Sequence, residues 1–527
     1  MDRTLDDLTP RPAAPAPAPY DRGLRPFRPL HHRFLRGLAA AEHGTALLAG
    51  DRGMTYAEAH ELALTWAGAL LDRCPRPPRA VAVLGNKTAE AYVGVLAALY
   101  TGAAAVPLHP DFPVARSRAA LHAAGAEALI ADPAGSAILT DLLDGAPAMP
   151  VLVPDQAPVT GPALDAPRTA GPDDTALILF TSGSTGRPKG VRVTHGGADH
   201  YFGIIDERYG YGPGDRLSQT FDLTFDCAHF DLFAAWGTGA SVVAVPQKAF
   251  FALPEFTARH DLTGWFSTPS VIAFVQRAGG LGPGALPSLR HSLFAGEALT
   301  VADAAAWQQA APGSALENIY GPTELTITIA GHRFDPLRSP RIAVNGIVPI
   351  GAVHPGHRAL LLAEDGSARQ DEGELCVAGP QTTPGYLDPA DGQGRFLDRP
   401  EGRYYRTGDR VRRLPGGELA YLGRSDAQVQ VHGWRVELAE IDHAVRGCDG
   451  VQDAVTVHAG GELAVFYTGR EQPALHIAAE LRRTLPEPLV PRRYRHLEHF
   501  PLNANRKIDR TALTALAGAR RGPAAGG

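Results

Sequence analysis

Residues 177–190 read Leu-Ile-Leu-Phe-Thr-Ser-Gly-Ser-Thr-Gly-Arg-Pro-Lys-Gly, an apolar run that leads into a loop of Gly, Ser and Thr closed by a lysine. The apolar run is typical of a buried strand. A loop of this composition can present backbone N–H groups and hydroxyls to phosphate oxygens, and Lys189 adds a positive charge. The stretch differs from the Walker pattern GxxxxGK[ST], because Lys189 follows Pro188 and precedes Gly190. It therefore predicts a strand followed by a phosphate-binding loop.

Strands and helices alternate along the chain before this stretch. Residues 81–84 predict a short buried strand, residues 89–100 a helix and residues 104–108 the next strand. Such alternation is typical of parallel strands joined by helical crossovers. Further strands are predicted at 176–180, 241–245 and 291–294. We therefore expect an α/β fold with parallel layers in a large N-terminal domain.

The pattern changes twice after residue 340. Short segments rich in Gly and Pro predict hairpins or a small barrel-like β subdomain, with strands at 347–350, 359–362, 373–377 and 418–421. After Gly423 the sequence predicts helices near 438–446 and 474–484 and strands near 454–458 and 463–467. These last elements are enough for a separate small α+β domain.

We expect four regions along the 527 residues. Residues 1–30 are rich in Pro, Ala and Arg and predict a disordered N-terminal segment. Residues 31–423 are expected to form the large core domain, and residues 424–514 the small C-terminal domain. Residues 515–527 predict a flexible tail.

Composition and charge argue against several classes of protein. The net charge is −6 and the chain has only four lysines, which gives no support for a nucleic-acid-binding surface. No stretch approaches 18 consecutive apolar residues, so a membrane span is not expected. The N-terminus lacks the apolar region of a secretory signal, and a cytoplasmic location is expected. The four cysteines are far apart without a CxxC pair, which suggests neither a disulfide framework nor a zinc site.

The phosphate-binding loop is followed along the chain by a series of further motifs. They are Gly296-Glu297-Ala298, Asn318-Ile319-Tyr320-Gly321-Pro322-Thr323-Glu324, Tyr405-Arg406-Thr407-Gly408-Asp409, Gly423-Arg424-Ser425-Asp426, and residues 501–510, Pro-Leu-Asn-Ala-Asn-Arg-Lys-Ile-Asp-Arg. In content and order, over roughly residues 31–515, the series resembles the adenylate-forming superfamily of acyl- and aryl-CoA ligases, luciferases and adenylation domains of nonribosomal peptide synthetases. The resemblance implies ATP and Mg²⁺ as cofactors, and a small C-terminal domain that is mobile.

The same resemblance implies which residues bind the nucleotide. Tyr320 would stack on adenine, Thr323 would contact phosphate, and Glu324 would help to hold Mg²⁺. One carboxylate together with substrate phosphates is a normal environment for this ion. Asp409 and Arg424 would bind the ribose. The other nucleotide-binding positions implied are Thr181, Ser182, Gly183, Ser184, Thr185, Gly186, Lys189, Gly296, Glu297, Asn318 and Gly321.

Lys507 would be the principal catalytic residue, assisted by Thr323 and Glu324. By resemblance it bridges the substrate carboxylate and the α-phosphate. The attack joins two anions, so a cation that reaches both lowers the barrier electrostatically. Asp426 would be the hinge about which the small domain rotates, removing Lys507 and admitting the acceptor of the second step.

The segment 221–233, Phe-Asp-Leu-Thr-Phe-Asp-Cys-Ala-His-Phe-Asp-Leu-Phe, resembles the family motif that begins the acyl pocket. Anchoring it on Asp231-Leu232-Phe233 places Asp226 where amino-acid-activating members have Asp and aryl-acid activators usually have Asn. A buried carboxylate needs a partner, and a substrate ammonium supplies one. Asp222 is a rival for this role, but the anchor disfavours it.

The resemblance also implies the walls of the substrate pocket. Apart from Asp226 they are uncharged, so a charged substrate side chain would lack a partner. We expect a neutral amino acid with a small or medium side chain, and whether it is an α- or a β-amino acid stays open. The implied substrate-binding residues are Phe225, Asp226, Cys227, Phe230, Ser267, Leu293, Ala295, Ile319, Ile327 and Thr328.

The acceptor is expected to be the phosphopantetheine thiol of a separate carrier protein. No carrier-protein serine motif follows Arg510, and no condensation or thioesterase signature is present. Two alternatives are an acyl- or aryl-CoA ligase that uses CoA, and a catalytically inactive binding or scaffold homologue. Arg506 replaces the usual Gly, and Gln430 and His432 replace the common Lys and Arg; these departures concern the transfer step. The oligomeric state is left open.

We predict that Lys507→Ala lowers amino-acid-dependent ATP–pyrophosphate exchange by at least about 100-fold, because the cation that joins the two anions is lost. Attack of a thiol on preformed adenylate should be much less affected. Parallel assays of the two half-reactions test this, and an equal loss in both would contradict the role given to Lys507.

Overall fold

The computed structural model describes residues 26–145, 147–183, 187–424, 428–431, 433–501 and 508–518. Several residues singled out above lie outside this set, so their predicted roles stay predictions. They are Ser184, Thr185, Gly186, Asp426, His432, Arg506 and Lys507.

The larger part of the chain is built from two sheets and the helices that cover them. Its strands are β1 (Thr45–Ala49), β2 (Arg52–Thr55), β3 (Ala80–Leu84), β4 (Ala104–Leu108), β5 (Ala128–Ala131), β6 (Val151–Leu152), β7 (Thr175–Thr181), β8 (Lys189–Thr194), β9 (Arg216–Gln219), β10 (Ser241–Ala244), β11 (Gly264–Ser267), β12 (His291–Phe294), β13 (Ala315–Tyr320), β14 (Ala330–Arg333) and β15 (Ala352–Val353). Its helices are α1 (His32–Ala41), α2 (Tyr56–Arg73), α3 (Ala89–Tyr100), α4 (Val114–Ala124), α5 (Pro133–Ser136), α6 (Leu139–Leu143), α7 (His195–Tyr209), α8 (Asp226–Trp236), α9 (Leu253–Arg259), α10 (Ser270–Arg277), α11 (Val301–Ala310) and α12 (Ser339–Ile342).

Both sheets are mainly parallel, as the alternating pattern predicts. One has the order β6-β5-β3-β4-β7-β8, with only the β7–β8 pair antiparallel. The other has the order β15-β14-β13-β12-β11-β9-β10-β1-β2, and the strands from β13 to β1 are parallel. The carboxyl ends of β9, β11, β12 and β13 therefore meet at one edge, where open α/β sheets bind ligands.

The helices begin where side chains can cap them. Thr88 accepts a hydrogen bond from the Ala91 N–H and starts α3, every residue of which is buried. Thr55 and Glu58 form a reciprocal capping box at the start of α2. Between the layers, the Phe34 ring packs against Trp236 at 5.2 Å, within the hydrophobic core.

The antiparallel β subdomain follows. It consists of β16 (Arg358–Leu362), β17 (Ala368–Arg369), β18 (Glu372–Ala378), β19 (Phe396–Arg399), β20 (Gly402–Arg413) and β21 (Leu419–Arg424). The sheet order is β17-β16-β18-β20-β19, and β21 pairs with the long strand β20. This arrangement confirms the small barrel-like layer.

The strand predicted at 347–350 is wrong. Ile347 makes isolated bridges with Thr300 and Val344. Pro349 has no N–H to donate to a ladder. The N–H of Ile350 bonds to the carbonyl of Leu419, so this segment is a connecting loop that ties the second sheet to the β subdomain.

The end of the chain forms a small α+β unit. Its elements are β22 (Gln428–Val431), β23 (Trp434–Glu437), α13 (Leu438–Arg446), β24 (Val451–Ala459), β25 (Glu462–Gly469), α14 (Ala474–Leu481), β26 (Arg493–His496) and α15 (Arg510–Gly518). Strands β22 and β23 form an antiparallel hairpin, and β24, β25 and β26 form a sheet. Val436, Ile441 and Val465 belong to a hydrophobic cluster within this unit.

Two of the expected boundaries differ from the structure. Leu30, the last residue of the segment expected to be disordered, is buried, and its N–H donates to Nδ1 of His195. Helix α15 extends to Gly518, beyond the expected start of the tail at 515. Leu513 and Ala517, four residues apart on one face of this helix, are both buried, which explains the extension. No helix among the described residues is long and apolar enough to cross a membrane.

We predict that Gly321→Ala destabilises the protein by about 1–3 kcal/mol, because it overpacks the turn after β13. A Cβ at Gly321 would lie 2.5 Å from the Cα of Thr328. The backbone there cannot easily retreat, since Thr326 and Ile327 already have positive φ angles of 57° and 70°. Urea unfolding measures the effect.

Gly313→Ala is the matched control, since a Cβ there meets nothing within 4 Å. Equal midpoints for the two variants would contradict the steric argument.

Candidate active site

A cavity of about 520 Å³ lies where the carboxyl ends of the parallel strands face the hairpin β22–β23. It is lined by residues from the core, from the β subdomain and from the C-terminal unit. The predicted site residues that line it are Thr181, Ser182, Phe225, Asp226, Cys227, Ala295, Gly296, Glu297, Asn318, Ile319, Tyr320, Gly321, Thr323, Asp409 and Arg424. Residues up to 243 positions apart in the chain are thus brought together.

Five predicted wall residues do not line the cavity. Phe230, Leu293 and Ile327 are buried behind it. The Thr328 hydroxyl lies 2.9 Å from the Tyr201 hydroxyl, and the Ser267 hydroxyl accepts from the Trp265 ring N–H at 3.0 Å. These five residues support the wall from behind.

Asp409 and its neighbours form a polar cluster that is already assembled. Strand register places Asp409 opposite Arg424, and one guanidinium nitrogen lies 2.6 Å from the carboxylate. The Tyr320 hydroxyl donates to the other carboxylate oxygen. Burial, followed by the nearby Asp409 charge, raises the pKa of Tyr320 well above its ordinary value, so the ring stays neutral. The predicted adenine-stacking ring and the predicted ribose carboxylate are therefore linked.

Two of the predicted nucleotide-binding residues have structural partners here. The Asn318 amide donates to the carbonyls of Val348 and Pro349, both at 3.0 Å, and so holds the connecting loop. Lys189 does not line the cavity; its ammonium lies 6.0 Å from the centre of the Tyr386 ring. Burial, with repulsion from Arg395, lowers the pKa of Lys189.

Asp226 occupies the first position of helix α8 and lines the cavity. Among the described residues, no Lys, Arg or His lies within ion-pair distance of it. Burial raises its pKa from the ordinary 3.8 to about 6, and hydrogen bonds from Thr323 and Cys227 offset part of that effect. Its side chain is partly exposed, and the exposed part lines the cavity. The rival Asp222 does not line the cavity and lies 4.0 Å from the His109 ring instead.

Glu324 is fully buried and has a partner on each carboxylate oxygen. Tyr386 donates to one oxygen at 2.7 Å, and an Arg435 guanidinium nitrogen lies 2.7 Å from the other. Burial alone would raise the pKa of Glu324, but Arg435 and Tyr386 outweigh it and hold the pKa at about 2. A carboxylate beside the Thr323 hydroxyl suits Mg²⁺ chemically. In this arrangement of the chain, however, both oxygens are already used.

The hairpin β22–β23 supplies residues that the sequence interpretation missed. The Trp434 ring packs against Phe225 at 4.8 Å and Phe112 at 5.5 Å. The Gly433 N–H donates to the predicted adenine-site residue Glu297 at 2.6 Å. In the sequence, these residues could have been noticed only because they adjoin Gln430 and His432, which replace the Lys and Arg common in the family.

Comparison with known proteins gives a consistent assignment. Residues 36–387 match the family described as AMP-binding enzyme. The L-proline--[L-prolyl-carrier protein] ligase of Streptomyces coelicolor is 34% identical over 516 residues, which cover 90% of this chain and 94% of that protein. The chain spans between 6% and 45% of the length of the first curated relatives, which include the probable non-canonical nonribosomal peptide synthetase CymA of Salinispora arenicola.

Solved structures show the same fold. The crystal structure of IdnL7 is 52% identical, with a TM-score of 0.73, and the match covers 93% of this chain and 98% of that one. The Vibrio cholerae adenylation domain AlmE, solved with glycyl-adenosine-5'-phosphate, is 29% identical with a TM-score of 0.82, over 93% and 97% of the two chains.

We predict that Asp226→Asn stabilises the ligand-free protein at pH 7.5 by up to about 3 kcal/mol, since each pKa unit corresponds to about 1.4 kcal/mol. The carboxyl is neutral in the folded protein up to about pH 6, whereas its ordinary pKa is 3.8. Stability therefore falls as pH rises from about 4 to about 6. The amide does not ionise, so the gain should vanish at pH 3.5.

Urea unfolding at the two pH values measures the effect. Asp222→Asn, which removes a neighbouring carboxylate with a third of its side chain exposed, is the control. A stability difference for Asp226→Asn that is the same at both pH values would rule out ionisation as its cause.

Proposed function

Because the chain belongs to the AMP-binding enzyme family, we propose that it activates an amino acid with ATP and then loads a carrier protein. In the first step a carboxylate oxygen attacks the α-phosphorus of ATP, and pyrophosphate leaves. In the second step the phosphopantetheine thiol of a separate carrier attacks the acyl carbon, and AMP leaves with the bonding electron pair. The thiol proton goes to solvent.

The observation that supports an amino acid as the substrate is that Asp226 has no cationic partner among the described residues. Asp409 has Arg424 and Glu324 has Arg435, whereas Asp226 has no such partner in the part of the chain that the structure describes. A buried carboxylate without one is unfavourable, and a substrate ammonium would supply it. Fatty and aryl acids carry no such group. The 29% identical adenylation domain AlmE was solved with glycyl-adenosine-5'-phosphate, an amino-acid adenylate, which supports the proposal.

The walls support a neutral side chain of small or medium size. Cys227, Ala295 and Ile319 line the cavity and carry no charge. Phe230 and Leu293 are fully buried and do not line the cavity, and their bulk is proposed to limit the size of the substrate side chain. The substrate is therefore proposed to be a neutral α- or β-amino acid rather than Tyr or Trp.

Other residues are proposed to bind the nucleotide and the metal ion and to assist the first step. Asp409 and Arg424 would hold the ribose, and Tyr320 would cover the adenine. Thr181 and Ser182 line the cavity and are proposed to contact the phosphates. Mg²⁺, when bound, neutralises phosphate oxygens and is proposed to lie beside Glu324. Lys507 is proposed as the cation that joins the carboxylate and the α-phosphate.

The acceptor thiol is proposed to enter along the part of the cavity lining that includes Ala120, Phe112, Ser117 and His458. The Ser117 hydroxyl and the His458 Nε2 have no hydrogen-bond partner among the described residues. Apolar walls with two free polar groups suit the amide-bearing pantetheine chain, which is shared by carrier proteins and CoA. The preference for a carrier protein rests on the similarity to the carrier-protein ligase.

The proposal is tested by ATP–pyrophosphate exchange with neutral α- and β-amino acids, fatty acids and aryl acids. We expect exchange with at least one neutral amino acid and none with the other acids. Asp226→Asn should lower kcat/KM for that amino acid by about 10²–10³-fold, since breaking a buried pair costs about 3–5 kcal/mol. Asp222→Asn is the matched control and should stay close to the unmodified enzyme.

Transfer is measured by the mass of a phosphopantetheinylated carrier protein and, separately, of CoA. We expect aminoacylation of the carrier. Exchange with a fatty or aryl acid, or acylation of CoA alone, would favour the CoA ligase alternative. Absence of exchange with every acid would favour the inactive homologue.

A further inference from the structure

Arg435 makes a bridge between the C-terminal hairpin and two parts of the nucleotide site. Its guanidinium lies 2.7 Å from the Glu324 carboxylate. Its backbone carbonyl accepts a hydrogen bond from the hydroxyl of Ser182, in the phosphate-binding loop. One residue of the C-terminal unit thus contacts both the predicted metal ligand and the loop expected to hold phosphate.

The Glu324 carboxylate has no room for a second cation in this arrangement. Tyr386 uses its other oxygen, and the side chain is fully buried. A Mg²⁺ ion binds carboxylate oxygens at about 2.0–2.1 Å and demands near-octahedral geometry. It would then lie next to the guanidinium with little solvent between the two positive charges. Repulsion between them is strong where the effective dielectric is low.

The position of the hairpin depends on further contacts that do not involve Glu324. Trp434 packs between Phe225 and Phe112. A separate ion pair, Arg116 with Glu440, joins helix α4 to helix α13. These contacts favour docking but carry no sensitivity to a metal ion. Arg435 is the residue of this hairpin that occupies the metal carboxylate.

We propose that Arg435 and a divalent cation compete for Glu324, so that hairpin β22–β23 docks only when the metal has left. This inference rests on the proposed two-step function and deepens it. With a metal ion bound beside ATP, Glu324 would be occupied and Arg435 would have no place on it. After the metal ion and pyrophosphate have left, Arg435 would pair with Glu324 and the hairpin would dock for transfer. Arg435 is a positioning residue, since it acts through the hairpin.

If a metal ion displaces Arg435 from Glu324, Arg435 must weaken metal binding to the same extent. The competition can therefore be measured as the affinity of the protein for a metal ion. We expect Arg435→Gln to bind Mn²⁺ about 10-fold more tightly than the unmodified protein, because the guanidinium that competes for Glu324 is gone and the effect of each cation on the other is reciprocal. Electron paramagnetic resonance of free Mn²⁺, with α,β-methylene-ATP present, measures this without turnover or an amino acid. Arg435→Lys, which keeps a cation, should lie between the two.

Arg116→Gln is the matched control. It removes another ion pair that docks the same unit but does not touch Glu324. If Arg116→Gln tightens Mn²⁺ binding as much as Arg435→Gln, general undocking explains the effect and the competition is refuted. Unchanged affinity in Arg435→Gln refutes it as well.

Trp434 fluorescence provides a second readout of hairpin position. Titration of Mg²⁺ in the presence of α,β-methylene-ATP should shift the emission as Trp434 leaves Phe225 and Phe112. The midpoint should fall to lower Mg²⁺ in Arg435→Gln, and the signal should be absent in Trp434→Phe. A midpoint unaffected by Arg435→Gln contradicts the inference. Both readouts are independent of whether any amino acid supports exchange, which alone decides the proposed function.

Discussion

The parallel direction of β9, β11, β12 and β13 is the constraint on which the rest of the site depends. Because these strands point the same way, the loops that follow them converge at one edge of the sheet. The antiparallel return from β13 to β14 then folds residues 326–328 back over Gly321, where only a residue without a Cβ fits. The cavity follows from this geometry, and the C-terminal hairpin closes it.

Three carboxylates in and beside the cavity meet three different electrostatic environments. Asp409 is paired with Arg424, its neighbour across the β20–β21 ladder. Glu324 is paired with Arg435, which arrives from the C-terminal unit. Asp226 is left with a raised pKa and no cationic partner among the described residues. We infer that Asp409 keeps its cation, that Glu324 exchanges Arg435 for a metal ion, and that Asp226 receives its cation from the substrate. The last two changes correspond to the two proposed steps.

The sequence predicted well those strands and helices that depend on a short run of neighbouring residues. Strand β4 and helices α3 and α13 match their predicted bounds, because buried apolar runs and helical periodicity are local signals. The motifs placed Tyr320, Asp409 and Arg424 in one site. The loop at 347–350 was wrongly predicted as a strand. Its apolar residues are typical of a strand, but Pro349 has no N–H to donate to a neighbouring strand.

Contacts between distant segments could not be predicted in the same way. Arg435 and Glu324 are 111 residues apart, and Trp434 and Phe225 are farther apart still. Motif resemblance assigned Phe230, Leu293 and Ile327 to the pocket wall, but it does not say whether a side chain reaches the surface of the cavity. The structure places them behind the residues that line the cavity.

In the proposed function, Asp226 receives the ammonium group of the substrate. A crystal structure with a non-hydrolysable aminoacyl sulfamoyl-adenosine, carrying an amino acid that supports exchange, tests it most directly. We expect the ammonium nitrogen within about 3 Å of an Asp226 carboxylate oxygen, the ordinary distance of a charge-assisted hydrogen bond. An ammonium group that faces Asp222, or that contacts no carboxylate, would show that Asp226 does not bind it.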